Sequence, residues 1–174
     1  MRKKEYIAEF VYGGIDGAVT TFAVVSGAIG ASLSPAVILI LGFANLFADG
    51  FSMGVSNYLS SKSQQDLAST HSHKHPDKKP PLVTALVTFG SFVVVGFIPL
   101  LSFVVAPFSS VIDENKFLLS AILTSCAFFV VGAVKGGVVK SGRMRSAFLT
   151  FAMGGIAAAI AFSVGFFVRQ MLGF

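Results

Sequence analysis

Charge is what this sequence has least of. Only 12% of its 174 residues are Asp, Glu, Lys or Arg, while 54% are hydrophobic and the mean hydropathy is +0.80. A soluble domain carries about 25% charge, so the composition excludes one and points to a bilayer. Tryptophan is absent, against 19 Phe and 18 Gly, a balance that suits helices packed closely in lipid, where small residues let backbones approach. The single cysteine, Cys126, has no intrachain partner. In its apolar setting it reads as a small hydrophobe, silent on redox compartment. A Gly-rich phosphate loop and an HExxH are both missing. The chain is therefore expected not to be an enzyme and to hold no cofactor. Its length suits a single transmembrane domain, 1–174, with no separate soluble catalytic unit. The opening MRKKEYIAEF places acids directly after its basic start, which does not fit a cleavable signal peptide.

What is present is a series of apolar runs. Five membrane spans are expected, in an all-α fold. They run over about 6–30, 36–60, a stretch within 82–112, 117–134 and 146–168. GASLSP makes the first turn, and Pro99 and Pro107 kink or end the third span. The polar stretch 61–81, SKSQQDLASTHSHKHPDKKPP, is expected to be a short cytoplasmic loop between helices 2 and 3. The net charge of +5 does not indicate nucleic acid, because the basic residues fall in short stretches between apolar runs. With the N-terminus in the cytoplasm, every Lys and Arg of the 13 except Lys116 and Arg169 lies inside. That bias matches the positive-inside rule. The C-terminus is then non-cytoplasmic. Lys135, at the cytoplasmic end of span four, either snorkels to the interface, meets anionic headgroups or gates.

Asp16 and Asp49 are out of place in such a chain. Each lies about 16 residues from the first turn, which puts both near the bilayer middle on neighbouring antiparallel helices. An ionised carboxylate there costs at least about 2.5–3.5 kcal/mol, so such residues pair, face a cavity or carry an ion. A protonated structural acid explains either one alone. Two at matched depth, with no intramembrane Lys or Arg clearly available, fit a cation site better. Asn45, Asp49, Ser52, Met53 and Ser56 follow helical spacing along one face, and Thr20 is one turn from Asp16. Oxygen ligands alone suit Mg²⁺ or Ca²⁺, whereas the thioether of Met53 tilts the set towards a softer transition ion. Met53 can equally be packing. His71, His73 and His75 are either a metal-capture segment or a solvated loop with incidental affinity. They are expected to tune loading without being required for transport.

The blocks YGGIDGAVTTFAVVSGAIGA and GFANLFADGFSMGVSNYLSSKS resemble the first two helices of the vacuolar iron transporter family. VGAVKGG and GGIAAAIAFSVG agree more loosely. This resemblance implies a homodimeric exporter of Fe²⁺, often also Mn²⁺, that exchanges metal for protons, with the first helices of both subunits flanking the path. It implies that Asp16 and Met53 are pathway residues, with Asp49 in the matching ADGFSMG block. Asn45 joins them by spacing. Well-known members carry a Glu-rich cytoplasmic insertion between helices 2 and 3. Here the connector offers only Asp66 and Asp77 as acids. The expected partners are divalent metal ions, protons, the bilayer and a second copy through helix 1, where Gly13 and Gly17 allow close approach. Gly50 and Gly54, and Gly132 and Gly136, form similar pairs. The alternatives are a passive cation channel and a non-transporting scaffold. The minimal chain favours a bacterial cytoplasmic membrane over a vacuole.

Overall fold

The structure is a computed structural model and describes residues 6–70 and 79–173. The helices are α1 (Ile7–Gly30), α2 (Pro35–Thr70), α3 (Pro81–Gly96), α4 (Ile98–Val105), α5 (Ser110–Val138) and α6 (Arg143–Leu172), with a short 3-10 turn at Ala106–Phe108. Four of them are long and apolar enough to cross a membrane, and α3 with α4, bent by 44°, is a candidate for a fifth crossing. The all-helical, membrane-spanning class follows directly.

Local chemistry explains the ends and the bend. Ser32 adopts a left-handed φ of 55°. The Ser32 and Leu33 N–H groups donate back to Ile29 and Ala28, closing α1 with a left-handed cap. Pro35 opens α2, where its missing N–H costs nothing. Pro99 cannot donate to the carbonyl one turn back, so the third span bends there. The Leu100 N–H donates to Phe97 O at 3.0 Å, a tightened turn. From α5, the buried Ser120 hydroxyl donates to the Pro99 carbonyl at 2.6 Å, which fixes the bend against its neighbour. The kink expected at Pro99 is therefore present, and Pro107 falls in the 3-10 turn that ends the span.

One expectation changes. The helix of span two does not stop near residue 60 but continues to Thr70, so the first half of the 61–81 connector is helical. Its polar residues are held there by neighbours: Ser61 Oγ lies 3.2 Å from both Asn57 Oδ1 and Thr84 Oγ1. The Gln65 amide donates to Lys79 O at 2.8 Å. The histidines at 71, 73 and 75 lie outside the described residues.

α1 is the central helix, packed mainly on α3 and α6. Its Val11, Ala18 and Phe22 join Val95, Ala127, Phe128 and Val131 in one apolar cluster. Val25 and Ala28 join Ile38, Leu46, Phe92, Leu100 and Phe103 in another. α6 is the opposite case, with Ile156, Ile160 and Phe167 about 60% exposed, as expected of a lipid-facing helix. Lipid tails are as apolar as Leu, so water exclusion does not hold such helices together; close packing and interhelical hydrogen bonds do.

The glycines show how close that packing is. A Cβ on Gly13 would strike Ser91 and the Thr88 carbonyl, and one on Gly17 would strike the Phe92 carbonyl. Gly96 in turn needs its missing Cβ because the Gly17 carbonyl would sit 2.8 Å from it. These glycines therefore seat α1 on α3 of the same chain. Their expected use in a contact between two copies is corrected: the space they open is already filled. Gly54 likewise meets α3, and Gly132 and Gly136 meet the start of α6.

The ends of the bundle sort as the charges require. At one end the Lys79 ammonium contacts both Glu9 oxygens, at 2.9 and 3.2 Å, and lies 5.6 Å from the Tyr6 ring centre. At the other, Arg169 donates to Ser32 Oγ at 2.6 Å and Lys116 pairs with Asp113 at 2.8 Å.

Candidate functional site

Asp16 and Asp49 are each followed by glycine, and that glycine sets their position. Gly17 brings α1 against the Phe92 backbone, and Gly50 brings α2 against the Phe92 ring, where an added Cβ would come within 3.0 Å. Both helices thus close on one residue of α3, from two sides. The carboxylates immediately before the two glycines therefore lie on helices that close on the same residue of α3. Both are half-buried. Neither has a Lys or Arg within ion-pair distance among the described residues.

The other sequence candidates separate around this pair. The Thr20 hydroxyl donates to the Asp16 carbonyl at 2.9 Å, so its proton is committed to α1 while its oxygen lone pairs stay available. One turn from Asp49, the Asn45 side-chain nitrogen is buried with no hydrogen-bond partner. A donor left in this state costs about 1–3 kcal/mol. Met53, one turn to the other side, packs against the cluster containing Phe92 and Leu100, so it serves as core whatever else it does. Ser52 and Ser56, on the same face of α2, are exposed. Among the described residues, no three His, Cys, Asp or Glu side chains converge to hold a metal.

Some features escaped the sequence reading. Glu9 lies seven residues before Asp16, hence on the same face of α1, and its salt bridge to Lys79 ties the entry of α1 to the start of α3. A polar seam also runs between α2 and α3. The Asn57 amide donates to Thr88 Oγ1 at 2.6 Å, and the Thr88 hydroxyl donates to Thr84 O at 2.9 Å. Helical spacing from Asp16 could have flagged Glu9. Its partner could not have been found, because it lies 70 residues away in the chain.

The chain is similar to proteins of one family. A sequence model described as the VIT family matches residues 7–78 and 68–166. The chain belongs to the VIT family. A Toxoplasma gondii protein named vacuolar iron transporter is 25% identical over 230 residues, covering 97% of this chain and 76% of that protein. Arabidopsis thaliana vacuolar iron transporter 1 is 26% identical over 222 residues, covering 95% of this chain and 87% of the relative. A Plasmodium berghei vacuolar iron transporter is 46% identical over 63 residues, which is 36% of this chain and 23% of that protein. The first two alignments are longer than the 174 residues of this VIT-family member, so those relatives carry segments it lacks. The two family matches meet at 68–78, within the polar connector.

Proposed function

We propose that this protein is a divalent metal transporter that moves Fe²⁺, and also Mn²⁺, out of the cytoplasm in exchange for protons. What supports the proposal is that Asp16 and Asp49 are each followed by a glycine through which its helix closes on Phe92. Two adjacent carboxylates in a low-dielectric setting cannot both stay ionised without a counter-ion. A divalent cation supplies the counter-charge, and a proton supplies part of it. Each state that relieves the pair is the exit route for the other. Metal binding requires deprotonated ligands, so taking up metal releases protons. Alternate occupancy of this kind is antiport. The names of the relatives support iron as cargo. The metal is substrate here, with no resident cofactor.

A single chain leaves Asp16 and Asp49 half-exposed on a surface that would otherwise meet lipid. A second copy covering that strip of α1 and α2 encloses the acids and brings two further carboxylates. The proposed assembly is thus a homodimer along the Tyr12–Asp16–Thr20 strip, not along the Gly13–Gly17 edge. The charge bias supports an N-terminus in the cytoplasm and a C-terminus on the far side.

The test is metal flux into proteoliposomes with internal pH recorded. Asp16→Asn keeps the side-chain shape and removes the exchangeable charge. It is expected to abolish both Fe²⁺ flux and its dependence on the pH gradient. Flux that persists without proton movement in the unmodified protein would make it a passive channel. Asp16→Asn retaining full coupled flux would leave the acid as a structural group and sink the mechanism.

A further inference from the structure

At the end of the bundle where α1 begins, a cleft of about 650 Å³ opens between α1, α5 and the α5–α6 turn. Its floor is apolar: Ile7 from α1, with Ala133, Val134 and Val138 from α5. Its rim carries Lys140 and Arg143. Neither has a carboxylate or other hydrogen-bond partner among the described residues. The turn builds this rim. Lys140 sits at φ 55° and Gly142 at φ 87°, so the chain reverses within a few residues and holds both basic side chains over one opening. Gly137 leaves room for the Arg143 guanidinium to lie along α5, since a Cβ there would come 3.1 Å from Nε. α6, 30 residues long, begins at Arg143, and its N-cap Gly142 offers no capping side chain. The positive end of its helix dipole faces the same rim.

We propose that this cleft binds one anionic phospholipid, with the headgroup phosphate between Lys140 and Arg143 and an acyl chain along Ile7, Ala133 and Val134. The argument is complementarity in both charge and polarity. Two cations with no partner among the described residues favour a counter-anion at a membrane interface, and basic pockets between spans are a recurring way to hold lipid headgroups. A free phosphate ion would satisfy the rim and leave the apolar floor without a function. A lipid uses both. Because Ile7 lies in the first turn of α1, an occupied cleft braces the helix that carries Asp16 against α5.

The experiment is native mass spectrometry of the full chain in detergent. It is titrated with phosphatidylglycerol or with phosphatidylcholine of the same acyl chains. One phosphatidylglycerol per chain should be retained, about thirtyfold more tightly than phosphatidylcholine, from about fivefold for each basic side chain near an anionic headgroup. The double variant Lys140→Gln with Arg143→Gln should fall to the phosphatidylcholine level, and Lys140→Arg should keep the preference. Ala133→Phe fills the floor with both charges intact and should weaken phosphatidylglycerol while leaving the melting temperature close to wild type. Arg145→Gln removes an exposed charge outside the cleft and should change binding little. Equal retention of the two lipids would overturn the proposal. So would loss of binding by Arg145→Gln as large as that of the double variant, because the attraction would then be diffuse. Displacement of phosphatidylglycerol by excess inorganic phosphate, with Ala133→Phe silent, would show an anion site and not a lipid site.

Discussion

Gly17→Ala is the substitution that best tests how the acidic pair is positioned. An added Cβ at Gly17 would lie 2.9 Å from both the carbonyl carbon and the Cα of Phe92, with the carbonyl oxygen nearer still. Ordinary Cβ contacts begin at 3.4 Å. All three obstructing atoms are backbone, so none can rotate away, and α1 and α3 must part by on the order of 1 Å. Overpacking of this kind costs about 1–3 kcal/mol. Gly14→Ala is the matched control. Its Cβ would meet Val95 Cγ2 at 3.1 Å and Val95 Cβ at 3.6 Å, a side chain that can give. Both changes gain the same helix propensity, about 1 kcal/mol in aqueous helices, and that gain cancels when the two are compared. Gly17→Ala is therefore expected to be less stable than Gly14→Ala by about 1–3 kcal/mol, measured by denaturant unfolding in detergent. Because Asp16 immediately precedes Gly17, the same displacement moves its carboxylate relative to Asp49, and metal flux should fall with stability. Equal stability of the two variants would refute the packing argument. If Gly17→Ala instead dissociated copies of the chain while each remained as stable as the control, Gly17 would belong to an interface between chains.

The remaining predictions concern three other side chains. Met53→Leu keeps the apolar volume that packs against the Phe92 cluster, so flux should survive while the preference for Fe²⁺ over the harder Mn²⁺ falls severalfold; an unchanged ratio in competitive flux makes Met53 core alone. Lys79→Met leaves the Glu9 carboxylate, 15% exposed, without its 2.9 Å partner. A double-mutant cycle with Glu9→Gln should return a coupling of about 1 kcal/mol that shrinks with added salt, and no coupling would mean that the pair does not hold α1 to α3. Asn57→Ala removes the 2.6 Å hydrogen bond to the fully buried Thr88 hydroxyl. It should destabilise the chain by roughly 0.6–1.7 kcal/mol in the same unfolding assay, and a neutral result would show that the α2–α3 seam rests on glycine packing alone.

Sequence by itself determined the membrane-spanning class of this protein and the bend in its third apolar run. Those properties follow from rules that act on the chain locally. A run of apolar residues partitions into lipid wherever its neighbours lie, and Pro99 bends a helix by lacking one N–H. Helical spacing likewise put Asn45, Asp49 and Met53 on one line. Which helix faces each line is another matter, and only the tertiary structure decided it. Gly13 and Gly17 look the same in sequence whether they meet a second copy or α3, since a missing Cβ marks a close approach without naming its partner. The extension of α2 past residue 60 depends on partners supplied by α3 and Lys79, so its own polar composition disguised it as loop. Glu9 with Lys79, and the rim of Lys140 and Arg143 over Ile7, join residues far apart in the chain. Such pairings arise from the order in which helices pack, and helix packing in lipid is set by shape and by hydrogen bonds between segments. Neither is carried by any one segment's hydropathy.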